Sequence, residues 1–123
     1  MNKTIQELIE RKSVRVFTSK PISRKDKELI LTASVNAPSP GNQEMYRIID
    51  ITDEEIKKEL SVLCDNQPFI AKAKMVLAYC ADFRKWYDAF KHAKCEPRKV
   101  GTGDIVMAIE DAMIASENAV TAA

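Results

Sequence analysis

Three short segments of this sequence hold side chains whose type and spacing could do chemistry. The first is Arg11-Lys12-Ser13-Val14-Arg15. It leaves a helical pattern and enters an extended one, where alternate side chains share a face, so Arg11, Ser13 and Arg15 can converge on one anion. Guanidinium forks match phosphate oxygens, and a serine hydroxyl adds a further hydrogen bond. The second is Ala37-Pro38-Ser39-Pro40-Gly41-Asn42-Gln43. Its prolines stiffen the chain, and Gly41 lets the backbone come close to a flat ligand. The third is Asn66-Gln67-Pro68-Phe69-Ile70. An amide side chain offers a donor beside an acceptor, which suits the N–H and C=O edge of a heterocyclic ring. Taken singly, each has a plainer reading: a solvated basic turn, a connecting loop and a helix-start turn. None of the three presents a carboxylate or histidine placed as a general acid or base.

Other reactive residue types point to little. His92 is the single histidine, on a polar stretch, and reads as exposed. Cys64, Cys80 and Cys95 are odd in number and far apart, with no CxxC spacing, which excludes a tetrahedral metal site from sequence. They read as core fillers or bystanders in a reducing compartment. Trp86, Tyr87 and Phe90, at helical spacing, read as packing. Nineteen Lys+Arg against eighteen Asp+Glu leave no cationic surplus for displacing counterions from nucleic acid. The N-terminal stretch mixes acidic and basic residues, unlike a secretory signal. The longest strongly apolar run, Met75 to Ala81, is too short to span a bilayer. The expectation is a cytoplasmic protein with no membrane or nucleic-acid partner.

The elements that must position these segments follow from periodicity and turn chemistry. Thr4 and Glu7 form a T-x-x-E box ahead of Ile5, Leu8 and Ile9, predicting a short helix to about Arg11. Val14, Val16 and Phe17 predict an extended segment. Ser23 opens a second helix with Asp26 in its first turn, and it must stop before Ala37-Pro38. Met45 to Ile51 reads as a strand. Thr52 and Glu55 read as a second capping box, before a helix through Ile56, Leu60 and Leu63. Met75 to Ala81 reads as a strand covered on both faces. Asp82 caps a helix bearing Trp86, Tyr87 and Phe90, and Lys94 to Gly103 is a loop. From Asp104 onward a narrow helix carries Ala108, Ala112, Ala115 and Ala119, small enough for close backbone approach. No stop signal follows Ala119, so the sequence reads as truncated at its C terminus. With 123 residues, 46% apolar and 30% charged, the chain suits one globular domain.

In chain order these pieces spell E-R-K-S-V-R-V-F, P-I-S, A-P-S-P-G-N-Q, D-N-Q-P-F-I-A-K-A, V-L-A-Y-C-A-D-F and G-D-I-V-M-A-I-E-D-A-M-I-A-S-E-N-A-V. Together they resemble the FMN-dependent nitroreductase family, nearest its NADPH-dependent nitroreductase and flavin reductase branch, over the whole chain. The resemblance implies an α+β fold, with a mainly antiparallel sheet flanked by helices, in an intertwined homodimer with FMN at the interface. Residues 1–123 would be the N-terminal portion of a single nitroreductase-like domain. By similarity Arg11 and Ser13, with Lys12 between them, hold the phosphate and ribityl end. Arg15 lies near the N1–C2=O edge of the ring, and Gln67 reads the pyrimidine edge. Pro38, Ser39 and Asn42 belong to the loop that closes over FMN from the partner subunit. The implied reaction moves hydride from NAD(P)H to FMN N5, then to a nitroaromatic, quinone or flavin acceptor. FMN carries the chemistry and the protein supplies orientation and electrostatics, with no catalytic side chain and no metal. The rival is a non-catalytic module that binds FMN or dimerises.

Overall fold

Asn2 starts the first helix. The structure, a computed structural model, describes residues 2–123. Helix α1 (Lys3–Glu10) is capped by the Asn2 side chain, which accepts the Ile5 N–H at 2.9 Å. The expected box at Thr4 and Glu7 does not form, because Asn2 already satisfies the free N–H and both residues fall inside the helix. Ser23 behaves as its sequence predicts. Its oxygen accepts the Asp26 N–H at 3.0 Å and its hydroxyl donates to the Asp26 carboxylate, opening α2 (Arg24–Val35). That helix ends ahead of Ala37-Pro38, as the restriction on a residue preceding proline requires.

A single 3-10 turn (Pro40–Asn42) leads into β1 (Tyr46–Asp50), and α3 (Glu54–Leu63) follows. The cap of α3 is Asp53, which takes the N–H groups of Glu55 and Ile56 at 2.8 and 3.0 Å; the predicted Thr52–Glu55 box is displaced by one residue. Next come α4 (Pro68–Lys72), β2 (Leu77–Ala81), α5 (Arg84–His92) and α6 (Thr102–Ala122). The strands pair antiparallel: Ile51 N–H bonds Val76 C=O at one end, and Asp82 N–H bonds Met45 C=O at the other. The fold is therefore α+β. Val14 to Phe17, expected to be extended, joins neither strand of the sheet. The expectation of a strand buried on both faces at Met75 to Ala81 does not hold. Leu77 to Tyr79 are half-buried and Cys80 and Ala81 exposed, because among the described residues the sheet has two strands and too few neighbours to cover both faces.

The chain forms two compact units. One comprises the residues up to 27 together with 50–77, and the other 28–49 with 78–123. In the first, α3 packs on α4. Buried Lys57 links them, its ammonium bonding the Glu54 carboxylate at 2.6 Å and the Ala73 carbonyl at 3.2 Å. In the second, Ala37, Tyr46, Ala112 and Ala115 form the core, with Ile48 and Tyr79 against it. Buried Ser34 donates to the Ala115 carbonyl and shares a hydrogen bond with the Tyr79 hydroxyl, both at 2.8 Å. The predicted alanine face of α6 is the buried one: Ala108, Ala112, Ala115 and Ala119. All three cysteines are exposed and free, so they are not core fillers.

Candidate functional site

The first unit carries the basic run. After α1 the chain leaves helical geometry at Arg11, and Arg11, Lys12, Ser13 and Arg15 are all exposed. Among the described residues, Arg11, Lys12 and Ser13 have no hydrogen-bond or ion-pair partner, so their donors are available to an anion. Arg15 is anchored. Its guanidinium carbon lies over the Phe69 ring, 5.5 Å from the centroid, within cation–π range. Phe17 meets the same ring edge-on at 6.4 Å.

That contact seats Arg15 on Phe69, which follows Gln67 by two residues in the chain. The turn that aims Gln67 is built from Asp65 and Asn66, both left-handed with φ of 64° and 53°, a region that Asp and Asn tolerate. Proline at the first position of α4 ends the turn and starts the helix. Half-buried Gln67 donates from Nε2 to the Cys64 carbonyl at 2.6 Å, which fixes its amide and leaves the side-chain oxygen as an acceptor. Phe69 is the residue that sequence reasoning left without a role. Its signal was an aromatic two places after the amide, in a motif already singled out.

The second unit carries the Pro38 to Met45 loop. Pro38 and Asn42 are exposed and Ser39 is half-buried. Gly41, Asn42 and Glu44 have φ of 60°, 53° and 48°. Glutamate rarely adopts that conformation, and its neighbours hold it there. The Glu44 N–H bonds Ser39 Oγ at 2.8 Å, and the Glu44 carbonyl accepts from the Lys85 ammonium and, at 2.7 Å, from the Tyr46 N–H. The Trp86 indole N–H bonds the Gln43 carbonyl at 2.8 Å. Asp111 on α6 secures the loop from another side. Its Oδ2 accepts the Ser39 hydroxyl at 2.8 Å and the Met45 N–H at 2.9 Å. Sequence reasoning missed Asp111, although a carboxylate next to an alanine face is visible in the sequence. Burial raises the Tyr46 phenol above its ordinary value, with Glu44 and Asp111 adding to the rise.

Each unit holds a cavity. In the first unit about 300 Å³ is bounded by Val16, Phe17, Lys20, Ile22 and Met75. In the second about 450 Å³ lies between Met45, Trp86, Phe90, Arg98 and Met107. Arg98 forks onto Asp104 at 2.7 and 2.5 Å. That pairing, with the Gly101 N–H at 2.8 Å, holds the Asp104 carboxyl below the usual carboxylate range. Among the described residues no group of histidine, cysteine and carboxylates could hold a metal, and no helix is long and apolar enough to cross a membrane.

Comparison with known proteins covers the same segments. The nitroreductase family model matches residues 8–123. An FMN reductase [NAD(P)H] of Bacillus subtilis (strain 168) is 35% identical over 85 residues, covering 69% of this chain and 34% of that protein. An oxygen-insensitive NADPH nitroreductase of Salmonella typhimurium is 28% identical over 124 residues, covering 100% of this chain and 50% of that one. The solved structure of B. megaterium NfrA2 superposes with a TM-score of 0.92 at 32% identity, covering 99% of this chain and 50% of that chain. This chain thus spans at most about half the length of these relatives.

Proposed function

The chain belongs to the nitroreductase family, and from that premise we propose that it serves an FMN-dependent oxidoreductase that takes hydride from NAD(P)H for a nitroaromatic, quinone or flavin acceptor. The observation that carries this reading is the seating of Arg15 on Phe69, two residues after Gln67 in the chain. It gathers a permanent cation, an aromatic face and an oriented amide in one unit.

The donor set fits FMN. Arg11, Lys12 and Ser13 are exposed, without partners among the described residues, and supply two cations and a hydroxyl for a phosphate. Arg15 and Gln67 would hold the pyrimidine end of the ring, Arg15 by charge and Gln67 by its amide. When bound, FMN supplies the hydride chemistry. Around it, the Arg15 cation favours negative charge on the ring, which a low-dielectric setting strengthens. Gln67 fixes the ring edge through an amide already locked on Cys64. Pro38, Ser39 and Asn42 would close the site from the partner subunit and keep water out, on a loop pinned by α5 and α6. Residues 1–123 then form the N-terminal portion of one nitroreductase-like domain in a cytoplasmic homodimer, and its second substrates are small molecules.

Spectroscopy tests the reading first. The full protein, purified or mixed with FMN, is expected to be yellow and to oxidise NADPH, giving parallel double-reciprocal lines with an acceptor because one site serves both substrates in turn. Lines that intersect would remove the shared site. A dimer that stays colourless in excess FMN would favour a non-catalytic dimerisation module instead.

A further inference from the structure

Asp111 is a costly residue where it stands. Its neighbours on the buried face of α6 are alanines, yet its side chain is a carboxylate and the residue is 1% exposed. Only one of its oxygens is used. Oδ2 takes the Ser39 hydroxyl and the Met45 N–H, while Oδ1 is buried without a donor among the described residues, as is the Tyr46 hydroxyl without a partner. A buried carboxylate with half its acceptors idle adds less stability than an apolar side chain of similar volume. Packing alone therefore gives no reason for it, and what it does to its two partners gives one.

The Ser39 hydroxyl has one proton, and Asp111 takes it. The Ser39 oxygen then accepts the Glu44 N–H, which leaves one lone pair. Toward any further group Ser39 can only accept. The same carboxylate fixes the backbone at Met45, so both ends of the segment that holds left-handed Gly41, Asn42 and Glu44 are tied to one atom on a long helix.

We propose that Asp111 is a positioning residue for this loop: it fixes the Ser39 hydroxyl as an acceptor, which selects an N–H or hydroxyl of the flavin as its partner and excludes the phosphate. The proposal rests on the flavin reading given above. Riboflavin and FMN differ only in the phosphate, so an acceptor aimed at the shared part of the molecule acts on both alike.

The experiment is equilibrium binding of FMN and riboflavin to the full protein, followed by flavin fluorescence, with circular dichroism confirming that each variant is folded. Ser39→Ala and Asp111→Leu are each expected to weaken both flavins by a similar factor, roughly tenfold, the usual size of one lost hydrogen bond to a polar ligand. Asp111→Asn is expected to bind both flavins within about threefold of the parent protein, because its amide oxygen can accept the same two bonds. The double variant Ser39→Ala with Asp111→Leu should be no weaker than the worse single variant, since both act through one contact. Should Asp111→Leu fail to fold, Ser39→Ala and Asp111→Asn still decide the matter. Parent affinity for both flavins in folded Ser39→Ala, or a loss confined to FMN, overturns the proposal while leaving the flavin reading intact. A parent protein that binds neither flavin overturns both.

Discussion

At the scale of single residues the sharpest distinction lies between Arg11 and Arg15. Arg11 is exposed and free of partners among the described residues, whereas Arg15 is seated on an aromatic ring. If Arg11 holds the phosphate, Arg11→Ala should weaken FMN by roughly one to two powers of ten, the worth of a charge-assisted bond, and leave riboflavin nearly unchanged. The loss should shrink as salt rises, because part of the attraction is screened. Equal losses for the two flavins would mean that the phosphate lies elsewhere. Arg15→Ala should instead affect both flavins and lower the reduction potential of the bound flavin in a redox titration. An unchanged potential would remove Arg15 from the ring edge. The basic run and Gln67 were legible because their chemistry lies in the residue types. Phe69 under Arg15 was not, since a contact across more than fifty residues of chain has no local signal. Asp111 was hidden for the same reason: its partners Ser39 and Met45 are brought to it only by tertiary packing.

At the scale of elements, helix ends show where local sequence decides and where it leaves a choice. Ser23 had no competitor and caps α2 as read, while Asn2 and Asp53 each lay next to a plausible Thr box and took the cap. Asn and Asp compete well for this position because their short side chains reach the first free N–H groups. The start of α6 carries a prediction. Its third residue, Asp104, accepts the Gly101 N–H and the Arg98 fork, and its carboxyl is held low first by Arg98 and then by that N–H. A carboxyl whose folded value lies below its unfolded one contributes stability that is complete above the unfolded value. That contribution is lost as pH falls through the folded value. Parent protein should therefore melt higher than Asp104→Asn at neutral pH, and the gap should close below about pH 4, the ordinary carboxylate range. Melting curves recorded from pH 7 downward check this, and a gap that stays constant to about pH 2 would sink it. Arg98→Met should close most of the gap at every pH, because it removes the leading cause of the shift.

For the whole molecule the question is what covers α6. The order of the helices and strands other than α4, and the alanine face that buries this helix, were readable from periodicity and turn chemistry. The division into two units was not, because it runs through α2 and through both strands, where the sequence shows no linker. The other side of α6 is also apolar. Ile105, Ile109 and Met113 recur every fourth residue, joined by Val106 and Val120, and all five are exposed, Met113 by 64%. A helix apolar on both sides calls for cover on both sides. A second copy of the chain would supply it with matched chemistry, since a two-fold axis near the helix would set the same stripe against itself. Light scattering of the full protein at micromolar concentration should therefore give the mass of a dimer. Met113→Lys should shift it toward monomer, because a buried ammonium without a counter-charge is costly, while Met113→Leu should leave it dimeric because volume and polarity are kept. If both variants remain dimeric, the two-fold lies away from this stripe. If the parent protein is itself a monomer, the partner's Pro38 to Asn42 loop has no route to the flavin.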